Sequence, residues 1–354
     1  MTADARSHAS GESRPVWTLA EQAEGGLSPV SFELLAWGRR LVDQLNRSGR
    51  SGTKLCSVLL CNEVAEGDLQ ELVQRGADTV YVARSPRLEH FLVEPHAAVL
   101  ERLIREEKPD VFIGGATSTG RTLMPYVAVR LRTGLTADCT GLNIDPDTGN
   151  LIQTRPAAGG NILATIVTAR HRPQMATVRP RSLSPPERVE GRQGRVVEVH
   201  VPEDELESPV EWLGSRSEEQ DGANIQDSEK VVSGGRGLKK AEGFALVREL
   251  ADALGAAVGA SRDAVDRGWI PYPHQVGLSG KTVNPRLYVA VGISGAVQHL
   301  AGMQTADCIV AINNDPDAQI HQVADFAVVG DLFEFVPALA EEIKRRKSRQ
   351  EGDA

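Results

Sequence analysis

The sequence predicts an α/β protein built from two doubly wound, parallel-sheet domains. Short runs of β-branched residues alternate with helical patterns along most of the 354 residues. Alternation of this kind places successive strands parallel to one another, with helices over both faces of the sheet. One acidic stretch with few apolar residues, between 202 and 230, interrupts the alternation. A chain of this length can form two hydrophobic cores, one on each side of that stretch.

The predicted first domain covers residues 15–201. Its opening helix, at 31–45, places five apolar side chains on one face: Leu34, Leu35, Leu41, Val42 and Leu45. Further strands and helices are predicted, in chain order, as a strand at 55–60, a helix at 68–75, a strand at 79–82, a helix at 95–107 and a strand at 110–113. The runs Leu163–Val167 and Arg195–Val201 are expected to complete the same sheet.

Three segments are expected to lie outside the two folded domains. Residues 1–14 have the pattern of neither a signal nor a transit peptide and are predicted to be a disordered leader. The acidic stretch at 202–228 is predicted to be a linker, in which Val210, Trp212 and Leu213 could attach to a surface. The basic end at 345–354 is predicted to be a flexible tail.

The predicted second domain, residues 229–344, repeats the alternation more regularly. Five apolar runs each end in a polar or glycine-rich turn, at 231–232, 256–260, 287–291, 308–312 and 326–329. Ligands of open parallel sheets bind at the carboxyl ends of the strands. Residues from these separate turns are therefore expected to meet in one crevice.

Composition excludes several classes of function. A net charge of −9 and a pI of about 5.5 argue against a nucleic-acid partner. No apolar stretch reaches the roughly 18 residues that a membrane span needs. The four cysteines lack the spacing of a metal site and are expected to be buried, reduced thiols of a cytoplasmic protein.

The strand-end residues of the second domain suggest a phosphate-containing cofactor. Taken singly, Ser261 and Ser294 could be helix N-caps, the glycines could serve only as turns, and His299 could be a structural histidine. Taken together, two arginines, two hydroxyls and several glycines suit a pyrophosphate, and the helix start after the turn at 292–295 offers unpaired N–H groups. The sequence shows no catalytic triad, metal triad or P-loop lysine, so the cofactor is expected to carry the chemistry.

Four motifs between Val231 and Leu339 closely resemble the FAD-binding domain of electron-transfer flavoprotein α subunits. They are VVSGGRGLK, VGASRDAVDRGW, QVGLSGKTVNPRLYVAVGISGAVQHLAGM and IVAINNDPDAQIHQVADFAVVGDLFEFVPAL. The region before residue 202 resembles the same subunit through VWTLAEQ, DVFIGGATSTGRTLMPYVAVRL and GLTADCTGL. The likeness covers nearly all of the chain except the leader and the linker.

The resemblance implies an FAD site without catalytic or metal-binding side chains. Its cofactor-binding residues would be Arg236, Ser261, Arg262, Gln275, Val276, Gly277, Ser279, Gly280, Gly292, Ser294, Gly295, Gln298, His299, Asn313 and Asp331. In this family Arg262 would approach the isoalloxazine ring, Ser279 would face flavin N5, and His299 would donate near O2. A cation and a donor at those places would stabilise negative charge on the reduced ring. Many members carry threonine where this chain has Ser279, and glutamine where it has Leu278.

The resemblance also implies function and partners. The protein would be a redox carrier subunit more than a substrate-transforming enzyme. It would pair with a β subunit and pass single electrons from flavoprotein dehydrogenases, such as those of fatty acid β-oxidation, to a quinone oxidoreductase or another acceptor. The turn Gly114–Arg121 looks like a nucleotide loop, but the family resemblance favours a structural first domain that packs on the β subunit.

Three alternatives remain open on the sequence. TRPAAGGNILATI and RPQMATVRP resemble family members linked to dedicated dehydrogenases or nitrogen fixation, some of which bifurcate electrons from NADH. A second alternative is an NAD-dependent synthase or transhydrogenase with Lys281 as its candidate catalytic residue. The third is a cofactor-free interaction subunit that has kept the fold.

Overall fold

The computed structural model describes residues 13–23, 26–157, 162–214, 225–226 and 228–352, without the side chains of 350–352. The chain divides into two compact units, Met1–Pro156 with Leu163–Gly214 and Ala157–Ile162 with Ser215–Ala354. Most of the predicted leader, residues 1–12, lies outside the described residues, as do 215–224 of the predicted linker. No helix in the described part of the chain is both long and apolar enough to span a bilayer.

The first unit alternates strands and helices as the sequence predicts. Its elements are β1 (Val16–Ala20), β2 (Gln22–Ala23), β3 (Gly26–Leu27), α1 (Pro29–Arg47), β4 (Leu55–Cys61), α2 (Glu66–Gln74), β5 (Thr79–Arg84), α3 (Val93–Glu107), β6 (Val111–Gly115), α4 (Ser118–Leu131), β7 (Leu135–Cys139), β8 (Gly141–Ile144), β9 (Leu151–Pro156), β10 (Leu163–Val167), β11 (Gln174–Val178) and β12 (Arg195–Val199). Seven strands form one sheet in the order β12-β5-β4-β1-β6-β11-β7, and every pairing in it is parallel.

This sheet is covered on both faces, which confirms the predicted layers. Apolar side chains of α1 and α2 share one core with the strands, and those of α3 and α4 share the other. Leu35, Leu41 and Leu45 of α1 are almost completely buried, as the helical spacing predicts. Strand order reverses at β1, since β4 and β5 lie on one side of it and β6 on the other.

The prediction that Leu163–Val167 completes the large sheet is wrong. This segment is β10, which pairs antiparallel with β9 in a separate three-stranded sheet, β10-β9-β8. Its apolar run suggests a buried strand, yet Leu163 is 65% exposed. The sheet is completed by Arg195–Val199, as predicted, and by two strands that the sequence did not single out, β7 and β11. Both are short, and Gln174, Thr136 and Thr177 give them a polar appearance although they are buried.

The segments predicted as linker and tail contain ordered structure. Glu203–Leu206 forms a 3₁₀ turn with Leu206 buried against the first unit, and Trp212 stacks on His90 with ring centroids 4.6 Å apart. Val210 and Leu213 are exposed. The last helix, Leu332–Gly352, includes most of the predicted tail. Ion pairs of Glu342 with Arg345 and Arg346 stabilise it.

The described part of the second unit contains five strands, as predicted. Its elements are β13 (Lys230–Gly234), α5 (Phe244–Leu254), β14 (Ala257–Ala260), α6 (Arg262–Asp266), β15 (Leu287–Val291), α7 (Val297–Leu300), β16 (Ile309–Asn313), β17 (Phe326–Val329) and α8 (Leu332–Gly352). The strands form one parallel sheet in the order β14-β13-β15-β16-β17. Because β14 lies on one side of β13 and β15 on the other, the strand order reverses at β13. A crevice is expected between the carboxyl ends of β13 and β15.

The two faces of this sheet are covered differently. Helices α5 and α8 pack with the strands into one core. On the other face the core is closed by loop and short helical segments, which contribute Val276, Val283, Met303 and Ile320. The crevice is therefore bordered by loops that carry polar side chains, rather than by a second pair of long helices.

Cysteine burial largely follows the sequence expectation. Cys56, Cys61 and Cys139 are buried free thiols, whereas Cys308 is half-buried. Burial raises the pKa of Cys56 and of Cys139 to about 12, so both remain protonated thiols.

Candidate functional site

A cleft of about 650 Å³ opens at the carboxyl ends of β13 and β15. Its volume lies in the range of about 300–1,000 Å³ that is usual for cofactor sites. Most of the predicted cofactor residues line it: Arg236, Ser261, Arg262, Val276, Gly277, Ser279, Gly292, Ser294, Gln298, His299 and Asn313. Four others, Gln275, Gly280, Gly295 and Asp331, are not in the lining. The fold thus gathers residues from five separate segments into one place.

Two glycine turns meet at the floor of the cleft. A Cβ atom on Gly237 would lie 2.7 Å from the Cα of Gly292, and Gly292 has a φ of +63°. The backbone N–H of Gly237 donates to the carbonyl oxygen of Gly292 at 2.9 Å. Only glycine allows the two strand ends to approach this closely, so a side chain at either position would separate them.

Replacing Gly237 with alanine should destabilise the second domain and weaken cofactor binding. The added Cβ would overlap backbone that cannot move without opening the turn, so we expect a loss of about 1–3 kcal/mol in the free energy of unfolding. Gly330→Ala is the matched control, since a Cβ there meets nothing within 4 Å. Urea unfolding measures the free energy of unfolding of both variants. Equal values would show that the close approach of Gly237 to Gly292 can accommodate a side chain.

Ser261 presents a buried hydroxyl without a partner. Its Oγ forms no hydrogen bond within the described part of the protein. Ser261 occupies the N-cap position of α6, as predicted, but its side chain makes no cap bond, so the hydroxyl is not used by the helix. Buried hydroxyls normally have a partner, so an unpaired one at a cleft is available to a ligand.

Arg262 lies at the rim of the cleft and is paired with an acid of its own helix. Its Nε donates to the Oδ2 atom of Asp266 at 3.2 Å, and its side chain is 69% exposed. Exposed pairs of this kind contribute little to stability, so the guanidinium can turn to a ligand at small cost. Asp263 and Asp266 also line the cleft. They were not predicted from the sequence, because an acidic side chain repels phosphate.

The loop that carries Ser279 is held by its neighbours. The Nε2 atom of Gln275 donates to Ser279 Oγ at 3.0 Å, and the hydroxyl of Tyr272 donates to the Ser279 carbonyl oxygen at 2.9 Å. Gln275 is buried, so its contribution is to orient the Ser279 hydroxyl. Leu278 is exposed and lines the cleft beside it.

The turn at 292–295 does not start a long helix. Helix α7 contains only four residues and begins after Ala296, so the interpretation of Ser294 as its N-cap is wrong. Gly295 has a φ of +84°, and a Cβ there would lie 2.3 Å from the backbone N of Ile320. This close approach turns the chain before a helix can form. A helix of one turn has little dipole, which weakens the phosphate argument based on the helix start.

The side chains of Asn313 and Asp331 bind backbone groups, and their contact with a cofactor stays a prediction. The Nδ2 atom of Asn313 donates to the Ile293 carbonyl oxygen at 2.8 Å, and its Oδ1 accepts from the N–H of Asp315 at 3.0 Å. Asp331 accepts from the N–H of Phe333 at 2.8 Å, at the start of α8. These bonds fix the turns after β16 and β17.

His299 is buried at the inner side of the cleft and is 6% exposed. Its Nδ1 lies 3.1 Å from the carbonyl oxygen of Val276, and its Nε2 lies 3.0 Å from the hydroxyl of Tyr288. Burial lowers the pKa of His299 to about 4, so the ring is neutral near pH 7. Because both nitrogens are engaged, donation from His299 to a ligand stays a prediction that would require one of these bonds to change.

The nucleotide-like turn of the first unit contains a carboxylate. Thr117 Oγ1 donates to the carboxylate of Glu21, with distances of 2.8 and 2.9 Å to its two oxygens, and accepts from the N–H of Gly120 at 3.0 Å. Burial raises the pKa of Glu21 to about 7. A carboxylate beside the start of α4 disfavours a phosphate there, which supports a structural role for Gly114–Arg121.

The residues of the cleft in the second unit fit FAD. The unpartnered Ser261 hydroxyl, the two arginines and the closely approaching glycine turns supply donors, positive charge and access for a pyrophosphate. The described residues contain no cluster of His, Cys, Asp or Glu that could hold a metal ion.

Comparisons with known proteins agree with this fit. A family model described as "Electron transfer flavoprotein domain" matches residues 16–204, and one described as "Electron transfer flavoprotein FAD-binding domain" matches residues 224–304. The chain is 46% identical to "Electron transfer flavoprotein subunit alpha" of Thermoanaerobacterium thermosaccharolyticum, with 94% of this chain and 99% of that protein covered.

Two further relatives have different names. "Protein FixB" of Azotobacter vinelandii is 43% identical, with 94% of this chain and 92% of that protein covered. "Acryloyl-CoA reductase electron transfer subunit beta" of Anaerotignum propionicum is 41% identical, with 95% of this chain and 97% of that protein covered. The chain therefore belongs to the electron-transfer flavoprotein α-subunit family, and its C-terminal region is an FAD-binding domain.

Proposed function

We propose that the protein is the FAD-carrying subunit of a heterodimeric electron carrier, and that the cleft at the ends of β13 and β15 is its redox site. The observation that carries the proposal is the buried, unpartnered hydroxyl of Ser261 in a cleft that is also lined by Arg236 and Arg262. FAD, when bound, supplies one-electron chemistry. The chain supplies binding, orientation and charge.

Each group of residues has a distinct task in this proposal. The glycine turns and Ser261 hold the pyrophosphate and the groups next to it. Arg262 turns from Asp266 toward the flavin ring and stabilises negative charge that develops there. Ser279, fixed by Gln275, presents a hydroxyl to the ring edge. None of these side chains makes or breaks a substrate bond, so the protein acts as a carrier.

We propose a β subunit as the obligatory partner and flavoprotein dehydrogenases as electron donors. A relative is named for acryloyl-CoA reductase, which supports a dehydrogenase of the acyl-CoA type. The electrons would pass on to a quinone oxidoreductase or another acceptor. The cleft is open to solvent along its Arg262 side, where a partner can cover it.

Co-expression of the full chain with its β subunit tests the carrier function. We expect a yellow heterodimer that takes up electrons from dithionite in two separate one-electron stages. A heterodimer that stays colourless after FAD is added would contradict the proposal. Hydride transfer from NADH to an organic substrate without flavin would instead support the NAD-dependent alternative with Lys281.

Removing the Ser261 hydroxyl should weaken FAD binding without weakening the fold. Since Oγ has no partner among the described residues, Ser261→Ala should leave the stability of the FAD-free protein unchanged. The lost bond to FAD should raise Kd by about tenfold, or about 1.4 kcal/mol. Ser57→Ala, which removes an equally unpartnered buried hydroxyl in the first unit, is the control. Fluorescence titration with FAD measures the Kd of both variants. If Ser261→Ala bound FAD as tightly as Ser57→Ala, Ser261 would not be part of the site.

An NADH-oxidising, bifurcating carrier is the second candidate. Its support is the likeness of the segments around β9 to β11 to that group. Mixing the heterodimer with NADH, without a dehydrogenase, distinguishes the bifurcating carrier from the simple carrier. Bleaching of the flavin by NADH favours the bifurcating type, and an unchanged spectrum favours the simple carrier.

A further inference from the structure

Leu278 places an exposed apolar side chain in a cleft that is otherwise lined mostly by glycines and polar residues. It is one of the lining residues and is 68% exposed. Val276 and Ile293, the other two large apolar residues among the lining residues that the structure describes, are almost completely buried. A ligand in the cleft therefore finds most of its large apolar contact surface at Leu278.

The backbone that carries Leu278 is held in place. The N–H of Leu278 donates to the carbonyl oxygen of Gln298 at 2.9 Å. On its N-terminal side, Gly277 has a φ of +143°, and a Cβ there would lie 2.9 Å from the same carbonyl oxygen. Two residues after Leu278, a Cβ on Gly280 would lie 2.4 Å from the carbonyl oxygen of Gln275. The loop is packed too closely to withdraw, so the leucine stays at the cleft.

The chemistry of FAD indicates which part of it would meet this side chain. The pyrophosphate requires positive charge and hydrogen-bond donors, which Arg236 and Ser261 offer and a leucine does not. The aromatic rings of FAD have apolar faces, and covering them together with Leu278 removes apolar surface from water. Ser279, the next residue, is proposed at the edge of the flavin ring, which favours the flavin over the adenine as the neighbour of Leu278.

We propose that Leu278 packs against the flavin ring of bound FAD and excludes water from that side of it. The contact strengthens FAD binding, because both apolar surfaces are buried. It also lowers the first one-electron midpoint potential, because the negative charge that the first electron brings is less stable beside an apolar side chain than beside water. Leu278 thus opposes the effect proposed for Arg262.

This inference rests on the proposed binding of FAD in the cleft, but the two can fail separately. A heterodimer that binds no FAD contradicts the proposed function. A heterodimer that binds FAD with an affinity and a potential insensitive to Leu278 contradicts only the inference drawn from this leucine.

Two substitutions in the heterodimer test the contact. Leu278→Asn has nearly the same shape but is polar, and Leu278→Met stays apolar. The asparagine variant is expected to raise the Kd for FAD about tenfold. It should also raise the equilibrium constant for uptake of the first electron about threefold, or about 28 mV at about 59 mV per tenfold change. The methionine variant should resemble the wild type in both. Fluorescence titration measures the Kd, and spectroelectrochemical titration measures the potential.

Val297→Asn is the matched control, because Val297 is also an exposed apolar residue of this region but does not line the cleft. It should leave the Kd and the potential unchanged, and equal effects of Leu278→Asn and Val297→Asn would overturn the proposal. A raised Kd with an unchanged potential in Leu278→Asn would show that the leucine contacts another part of FAD, which also overturns it. Because Leu278 is exposed in the FAD-free protein, neither of its substitutions is expected to impair folding.

Discussion

Replacing Arg262 with alanine is expected to lower the first one-electron midpoint potential of FAD by about 60–120 mV, which corresponds to about 1.5–3 kcal/mol for a lost charge-assisted contact. The guanidinium lies at the rim of the cleft, where its partner among the described residues is an exposed acid of its own helix. Its charge is thus available to stabilise negative charge on the flavin. Spectroelectrochemical titration of the heterodimer measures the potential.

Two related variants make this result specific. Arg267→Ala removes an arginine of the same segment that pairs with Asp263 but does not line the cleft, and it should leave the potential nearly unchanged. Asp266→Asn removes the carboxylate that shares the charge of Arg262 and should raise the potential. Equal potentials for the Arg262 and Arg267 variants would remove Arg262 from its assigned role.

Replacing Glu21 with glutamine is expected to stabilise the first domain by about 2–3 kcal/mol near pH 8 and to change it little near pH 4. Burial raises the folded-state pKa of Glu21 from 4.5 to about 7. The protonated side chain is therefore favoured by folding, and its contribution is complete below about pH 4.5 and lost as the pH rises through 7. Glutamine keeps an acceptor for Thr117 and cannot ionise.

Urea unfolding of the full chain at several pH values measures this difference between wild type and variant. Glu63→Gln, on the exposed surface, is the control and should follow the wild type at every pH. A Glu21→Gln variant that parallels the wild-type pH dependence would show that the carboxyl group ionises normally.

The strands of the second domain could be predicted from the sequence because each apolar run is short, β-branched and followed by glycine or a polar turn. The same alternation predicts that the strands are parallel, whereas their order, β14-β13-β15-β16-β17, is given only by the fold. In the first domain, Leu163–Val167 was misplaced because an apolar run carries no information about which neighbour it pairs with. Strands β7 and β11 were not predicted, because their polar residues Thr136, Gln174 and Thr177 are of types that usually lie on the surface, although here they are buried.

Most residues of the cleft could be named from the sequence, whereas what each side chain does there could not. Strand-end residues converge because parallel strands bring their carboxyl ends to one edge. The cap role of Ser294 failed because α7 begins only after Ala296. Ser261 does stand at the N-cap position of α6, but its side chain makes no cap bond there. The bond between Tyr288 and His299 joins residues that their sequence spacing does not relate, so only the fold reveals it.

A crystal structure of the FAD-loaded heterodimer tests the central claim most directly. The pyrophosphate is expected over the turns after β13 and β15, within hydrogen-bonding distance of Ser261 Oγ, with Arg262 released from Asp266 and turned to the flavin ring. FAD bound away from these strand ends, with Ser261 still unpartnered, would contradict the account.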